Sequence, residues 1–294
     1  MIVVTTPTGN IGSKLLTHLL ESNEPVRVIV RDASRLPAEI RERVDLVEGS
    51  HGDAAIVDKA FQGADSVFWL APPRPQTQSL EADYLDFTRP ACEAFRTHGV
   101  RRVVAVSALG RGTPWQNHAG FSTASFQFCD LIAASGVHLR ALALPGFMDN
   151  FLQQAGALKA QGMFFYPLPG DQPYPTCSTG DIAQVAARLL VDHTWTGASD
   201  YPVLGPEDLC LNEMAEILTE VLGKPIRFQH VPFDAFRAQL LGHGMSEVFA
   251  NGLTEMFEAK AKGLDNAAPR TPESTTPTPF RQWAEQHLKP AVLN

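Results

Sequence analysis

Thr6-Pro7-Thr8-Gly9-Asn10-Ile11-Gly12 stands between a β-branched run, Ile2–Thr5, and a stretch with apolar residues at Ile11, Leu15, Leu16, Leu19 and Leu20. A glycine turn in that place can hold a pyrophosphate, because the amides at a helix start point outward and carry positive partial charge. Gly9 would let the backbone approach a ligand closely and Gly12 would let helix pack on strand, while Thr6 occupies the place of an expected first glycine. An ordinary tight strand-to-helix turn has the same outline. Roughly 20 residues further on, an acidic residue would be expected to take a ribose 2′-hydroxyl. Here Arg31 stands there, with Asp32 just beyond. A guanidinium suits a 2′-phosphate through charge-assisted hydrogen bonds, and Arg35 is near enough in sequence to help. These residues predict NADP(H) as the preferred cofactor, with NAD(H) kept within reach by Asp32. The plainer alternative is a solvated arginine at a strand end.

The elements that must position these residues alternate along the first half. Short apolar runs at Ile2–Thr5, Val26–Val30, Asp45–Glu48, Ser66–Ala71, Arg102–Ser107 and His138–Leu144 read as strands. Helical stretches at Asn10–Leu20, Ala54–Phe61, Leu80–His98 and Ser122–Ser135 separate them. That alternation predicts an α/β chain with a doubly wound parallel sheet. Beyond Pro145 the rhythm changes. Residues 147–180 read as loop and pocket wall, and Ser178-Thr-Gly-Asp181 reads as a capping box opening a helix over Ile182–Val191. Tyr201–Leu204 could add a strand. Asn212–Leu222, Phe233–Leu241, Met245–Ala261 and Phe280–Leu288 read as helices, with a short strand near Ile226–Val231. The proline- and threonine-rich Ala268–Pro279 reads as an exposed connector.

A chain of 294 residues exceeds what one core usually holds, so a large domain and a smaller one are expected. Hydrophobic residues at 44% and charged residues at 19% exclude a disordered chain. A net charge of −8 argues against a general affinity for nucleic acid. Cys92, Cys129, Cys177 and Cys210 lie far apart with no C-x-x-C, so neither zinc nor a disulfide framework is expected, and no metal site is predicted. The opening Met-Ile-Val-Val-Thr-Thr has no signal-peptide features and no stretch reaches membrane-span length, which predicts a cytoplasmic protein without a membrane partner.

The Thr6–Gly12 loop, the Val-Ile-Val-Arg31-Asp ending and Gly63-Ala-Asp65-Ser-Val-Phe-Trp-Leu70 together resemble the NmrA-like group of atypical short-chain dehydrogenase/reductases. Ser135-Gly-Val, Pro145-Gly-Phe-Met-Asp-Asn150, Asp181-Ile-Ala and Gly205-Pro-Glu-Asp extend the resemblance to about Leu288. The resemblance implies a Rossmann domain at residues 1–150, with 181–205 returning to it. Residues 151–180 and 206–294 would form a small α+β domain for substrate or partner. It also implies that Gly9, Asn10, Ile11, Arg31, Leu70, Ala71, Pro72 and Ser107 line the cofactor, and that Asn150 is a polar group of the pocket, although a turn role fits Asn150 equally.

Short-chain dehydrogenases usually carry Tyr-x-x-x-Lys, a spacing that puts both side chains on one helix face so that the lysine lowers the tyrosine pKa. The chain has only four tyrosines, and Thr88, Gly170, Ser178 and Gly205 stand four residues after them. Counting back from Ser135-Gly136, Phe121 takes the tyrosine position and Ser125 the lysine position. The usual carbonyl reduction is therefore not expected. His118, three residues earlier, could pass a proton or be a solvated loop histidine. Ser107 could hold a carbonyl or ribose, or simply cap a strand end. Trp115, Phe121, Phe147, Met148 and Phe151 could form a slot for a flat aromatic substrate, or belong to the core. Two functions follow: an NADPH-dependent reductase of the quinone reductase type, acting on a quinone-like or conjugated aromatic acceptor such as a natural-product intermediate, or a non-catalytic dinucleotide sensor contacting a protein partner.

Overall fold

β1 (Ile2–Thr5) is fully buried and is followed by α1 (Asn10–Leu20), whose Ile11, Leu15, Leu16 and Leu19 form one buried face. The computed structural model that shows this describes residues 1–293. β2 (Val26–Val30), α2 (Ala38–Arg41), β3 (Asp45–Glu48), α3 (Ala54–Phe61) and β4 (Ser66–Trp69) continue the alternation. α4 (Phe87–His98), β5 (Arg102–Ala108), α5 (Phe121–Ala134) and β6 (His138–Leu144) complete it. The next elements are β7 (Gly146–Phe147), α6 (Ala155–Gln161), β8 (Met163–Tyr166), β9 (Tyr174–Cys177), α7 (Thr179–Val191) and β10 (Ala198–Pro202). The last are β11 (Asp208–Leu209), α8 (Leu211–Leu222), β12 (Arg227–His230), α9 (Phe233–Gly242), α10 (Glu247–Ala261), α11 (Phe280–Trp283) and α12 (Lys289–Leu293).

The strands form a seven-stranded sheet in the order β10-β6-β5-β4-β1-β2-β3, the Rossmann-type doubly wound arrangement expected from the alternation. β1 pairs in parallel with β2 (Val4 opposite Val28) and with β4 (Val4 opposite Phe68). The winding therefore reverses between β1 and β4, and in such sheets ligands bind outside the carboxyl ends of the strands at that reversal. Burying each Leu, Val or Phe of such a core contributes about 1.5–3 kcal/mol. Phe61 on α3 stacks on Phe95 on α4 at 5.0 Å, so these two helices share one apolar face.

Two compact units divide the chain. The first comprises Met1–Ser107, Ala124–Ala143 and Ile182–Tyr201, and holds the sheet. The second comprises Ala108–Thr123, Leu144–Asp181 and Pro202–Asn294. Its core gathers Met148, Phe151, Leu158, Phe164, Met214, Leu218, Phe280 and Trp283. Two small sheets belong to it, β11-β9-β7 and the parallel pair β12-β8.

The strand expected at Tyr201–Leu204 begins earlier, as β10, α2 has no counterpart in the sequence reading, and two longer stretches also differ from theirs. Residues 147–180 carry a seven-residue 3-10 segment (Met148–Gln154), α6, β8 and β9 rather than loop. Their strands are four residues long, too short to show periodicity against the surrounding Pro and Gly. Ala268–Pro279 is not an exposed connector. Ser274 and Thr276 are buried, Thr275 bridges Leu204 in parallel, and the Thr276 amide donates to the Leu204 carbonyl at 2.7 Å. Its threonines serve as hydrogen-bonding groups of a strap, a role their polarity hides. Ser178 does cap α7, accepting from the Asp181 amide at 3.0 Å. No described helix is long and apolar enough to cross a membrane.

Candidate functional site

The turn after β1 is built by close backbone approach. Thr6 has φ 50°, in the left-handed region that glycine adopts freely and a β-branched residue rarely does. Its carbonyl accepts from the Gly9 amide at 3.0 Å, closing the turn. Gly12 is buried beneath this carbonyl, and a Cβ there would meet the oxygen at 2.1 Å. Gly9 is the N-cap residue of α1 and supplies no side chain, and the first turn of the helix holds no acidic residue. The amides of Asn10, Ile11 and Gly12 are thus offered outward at a positive helix end, the arrangement that binds phosphate. The Ile11 side chain faces the core, so only its backbone is available; Thr8 is half-buried and Asn10 exposed.

At the end of β2, Arg31 and Arg35 are both exposed. Asp32 is engaged elsewhere. Its carboxylate accepts from the Ser34 amide at 2.9 Å and the Ser34 hydroxyl at 2.6 Å, capping the short turn Ala33–Arg35. The Ser34 hydroxyl above all holds that carboxyl below the usual carboxylate range. The residue best suited to a ribose 2′-hydroxyl is therefore committed to a turn, and the guanidiniums beside it are open to an anion.

The carboxyl ends of β4 and β5 complete the first unit's candidates. Leu70 and Pro72 are half-buried and Ala71 is buried. The Thr5 hydroxyl donates to the Phe68 carbonyl at 2.9 Å and accepts from the Leu70 amide at 3.3 Å, tying β1 to β4 where the chain leaves the sheet. Ser107 is 6% exposed, and its hydroxyl has no hydrogen-bond partner among the described residues. A buried orphan hydroxyl costs about 1–3 kcal/mol, so a strand-end cap is not what Ser107 provides.

One residue here lies outside the set that spacing picks out. His51, in the turn after β3, is 7% exposed, and its Nε2 lies 2.9 Å from the Leu70 carbonyl oxygen. Burial, with Arg31's charge as a smaller cause, pushes its pKa down to about 4. A lone histidine between Ser50 and Gly52 carries no spacing signal, and only its place after the third strand could have flagged it.

The remaining candidates, Ser125 apart, belong to the second unit. Trp115 donates from Nε1 to the Lys262 carbonyl at 3.2 Å, with the Lys262 ammonium 5.1 Å from its ring. Phe121 opens α5, is 7% exposed, and meets Phe249 edge-on at 5.1 Å. Ser125 follows one helical turn later and is buried, so neither of the two positions carries a proton-passing dyad. Phe147 is half-buried, whereas Met148 and Phe151 lie in the unit's core, which satisfies the core reading for those two. Asn150 is half-buried and hydrogen-bonds the Tyr166 hydroxyl. His118 is exposed, its amide bonded to the Trp115 carbonyl at 2.8 Å. Asp181 does more than complement the α7 dipole, because its carboxylate accepts from the Thr278 hydroxyl at 2.8 Å and amide at 3.2 Å.

The geometry of the first unit fits a dinucleotide. It offers a glycine cradle that a Cβ would fill, uncapped helix amides, open guanidiniums and an orphan hydroxyl along one end of the sheet. Comparison with known proteins agrees. Residues 7–193 match the model of a family described as NAD(P)H-binding. The chain is 29% identical over 295 residues to (4-alkanoyl-5-oxo-2,5-dihydrofuran-3-yl)methyl phosphate reductase of Streptomyces griseus, the match covering 98% of each chain. It is 27% identical over 285 residues to NAD(P)H azoreductase of Xenophilus azovorans, covering 97% of this chain and 96% of that one. The structure of the NADPH-dependent quinone oxidoreductase of Escherichia coli complexed with NADPH superposes with a TM-score of 0.80 at 22% identity, covering 98% and 99% of the two chains.

Proposed function

We propose, from the premise that this chain belongs to the NAD(P)H-binding family, that it is an NADPH-dependent reductase passing hydride to a quinone-like or conjugated aromatic acceptor. The observation that carries the reading is the end of β2, where Arg31 is open and the Asp32 carboxylate is closed on Ser34. A 2′-phosphate finds a cation there, and a free 2′-hydroxyl finds no available acid. The three relatives are named for reducing a furanone phosphate, an azo compound and a quinone, the last two with a nicotinamide cofactor, which supports an acceptor of that conjugated kind.

NADPH, when bound, supplies the hydride. The first-turn amides of α1, with Thr6, Thr8 and Gly9 before them, hold the pyrophosphate, and Arg31 with Arg35 holds the 2′-phosphate. Leu70, Ala71 and Pro72 line the dinucleotide. The Ser107 hydroxyl donates to a ribose or substrate oxygen. Trp115, Phe121 and Phe147 are assigned to the flat acceptor, Asn150 to its polar edge and His118 to the proton. With phenylalanine and serine in place of the tyrosine and lysine, the enzyme gives up the roughly 10²–10⁴-fold that a positioned general acid contributes. The acceptor must therefore take hydride at a carbon already activated by conjugation, with water or His118 supplying the proton. Purified protein mixed with NADPH and a panel of quinones should consume NADPH faster than the uncatalysed reaction. Tight NADPH binding without turnover on any quinone would refute the reductase reading and leave a dinucleotide-responsive regulator.

A further inference from the structure

Two lysines close α10 and meet opposite fates. The Lys260 ammonium is buried and spends its charge on the Asp265 carboxylate. Lys262, the residue after the helix, is exposed and makes no ion pair among the described residues. Its amide donates to the Glu258 carbonyl at 3.2 Å, yet the Glu258 carboxylate does not pair with its ammonium. The ammonium lies instead 5.1 Å from the centroid of the Trp115 ring, and the indole Nε1 donates to the Lys262 carbonyl at 3.2 Å. Trp115 also packs against the apolar patch of Ala119, Ala259 and Leu264. Gly110 admits that patch, since a Cβ there would meet Leu264 Cδ1 at 2.3 Å. Indole and lysine are thereby fixed side by side, with the exposed His118 in the same turn as the indole. The C-terminal end of a helix favours a cation, which accounts for a lysine here but not for its place over an indole.

We propose that Lys262 anchors an anionic substituent, a carboxylate, sulfonate or phosphate, on the flat acceptor assigned to Trp115, so that the substrates are acidic conjugated rings. The assignment rests on the reductase reading above. An exposed cation–π contact is weak, so the ammonium can leave the indole for an anion at small cost. Its three donors are spent on no described residue, and a bond from an ammonium to an oxyanion is about twice as strong as a neutral one. A neutral ring would use the indole and leave those donors idle. The chain carries a net charge of −8, so its overall field repels anions. An unneutralised cation beside the acceptor's platform is what an acidic ring needs to settle there. The substituent is held alike before and after hydride transfer, so its effect falls on KM rather than on kcat.

Naphthoquinone and its sulfonate, each offered with saturating NADPH, test the assignment. The two rings differ in intrinsic reactivity, so the quantity to follow is the ratio of their KM values, sulfonate over parent. That ratio should rise about fivefold in Lys262→Gln, the upper end for an exposed ion pair, and keep its wild-type value in Lys262→Arg. Lys262 is exposed, so both variants should fold. Raising salt should move the wild type toward Lys262→Gln. An unchanged ratio in Lys262→Gln, or turnover of the parent quinone alone by the wild type, overturns the anchor and leaves the reductase reading standing. Turnover of neither quinone by the wild type overturns both together.

Discussion

The Thr6 carbonyl oxygen occupies the space where a side chain at Gly12 would begin, 2.1 Å from the site of its Cβ. The same carbonyl accepts from the Gly9 amide, so it cannot move aside without opening the turn. Gly12→Ala should destabilise the protein by about 1–3 kcal/mol through overpacking and weaken NADPH binding. Urea unfolding and a fluorescence titration check the two effects. Gly63→Ala, at a positive φ but with nothing within 4 Å of the added Cβ, should cost stability without changing NADPH affinity.

Arg31→Ala should weaken NADPH binding by about 1–3 kcal/mol, the scale of a lost charged hydrogen bond, and change NADH binding little. Titrating both cofactors against the variant and the wild type checks this. Because Arg31 is exposed, the difference should shrink as salt is raised. Equal losses for both cofactors would remove the 2′-phosphate from its assigned partner.

Ser107→Ala removes a buried hydroxyl that makes no hydrogen bond among the described residues. Stability should stay within about 0.5 kcal/mol of the wild type or rise, while turnover on an accepted quinone falls by about tenfold as a hydrogen bond in the reacting complex is lost. A fall in stability with turnover unchanged would make Ser107 a structural residue. Thermal unfolding and steady-state kinetics on the same preparation separate the two.

His51 gives a pH signature. Its pKa lies near 4 in the folded protein against an ordinary 6.5. Above 6.5 both folded and unfolded chains hold it neutral, and it contributes no slope. Between 6.5 and 4 the unfolded chain takes up the proton and the folded chain does not, so stability falls as pH falls, by roughly 3 kcal/mol in total. Below 4 both forms are protonated and the loss stops. Unfolding free energies across that window should decline less steeply in His51→Phe than in the wild type. Parallel curves would show that the imidazole is not held neutral.

The first strands and helix were legible because their residues leave few choices. Ile2–Thr5 and Val26–Val30 are β-branched runs, and the leucines of Asn10–Leu20 recur at helical spacing, so the structure reproduces those bounds. The place of Arg31 just after β2 was legible from its distance to the glycine turn. The commitment of Asp32 to Ser34 was not, because a local side-chain bond competes with ligand binding only once the backbone is placed. β8 escaped for another reason, although its partner β12 was expected near Ile226–Val231. The two pair across more than sixty residues of chain, Phe164 opposite Phe228, so β8 shows no partner locally. The burial of His51 was hidden because the carbonyl it bonds, Leu70, lies just past the end of a different strand.

The strap 268–279 ties the order of synthesis to the order of folding. Thr276 contacts the Cys177 thiol, and Thr278 donates to Asp181, each across nearly a hundred residues. All of the first unit has been made once residue 201 emerges, whereas the second unit draws its pieces from residue 108 to the end of the chain. A nascent chain therefore carries β9 and the start of α7 without their closing contacts for on the order of ten seconds. Messages truncated before residue 268 would yield a product with Asp181 deprived of both Thr278 donors, and such a product is a natural target for chaperones and proteases.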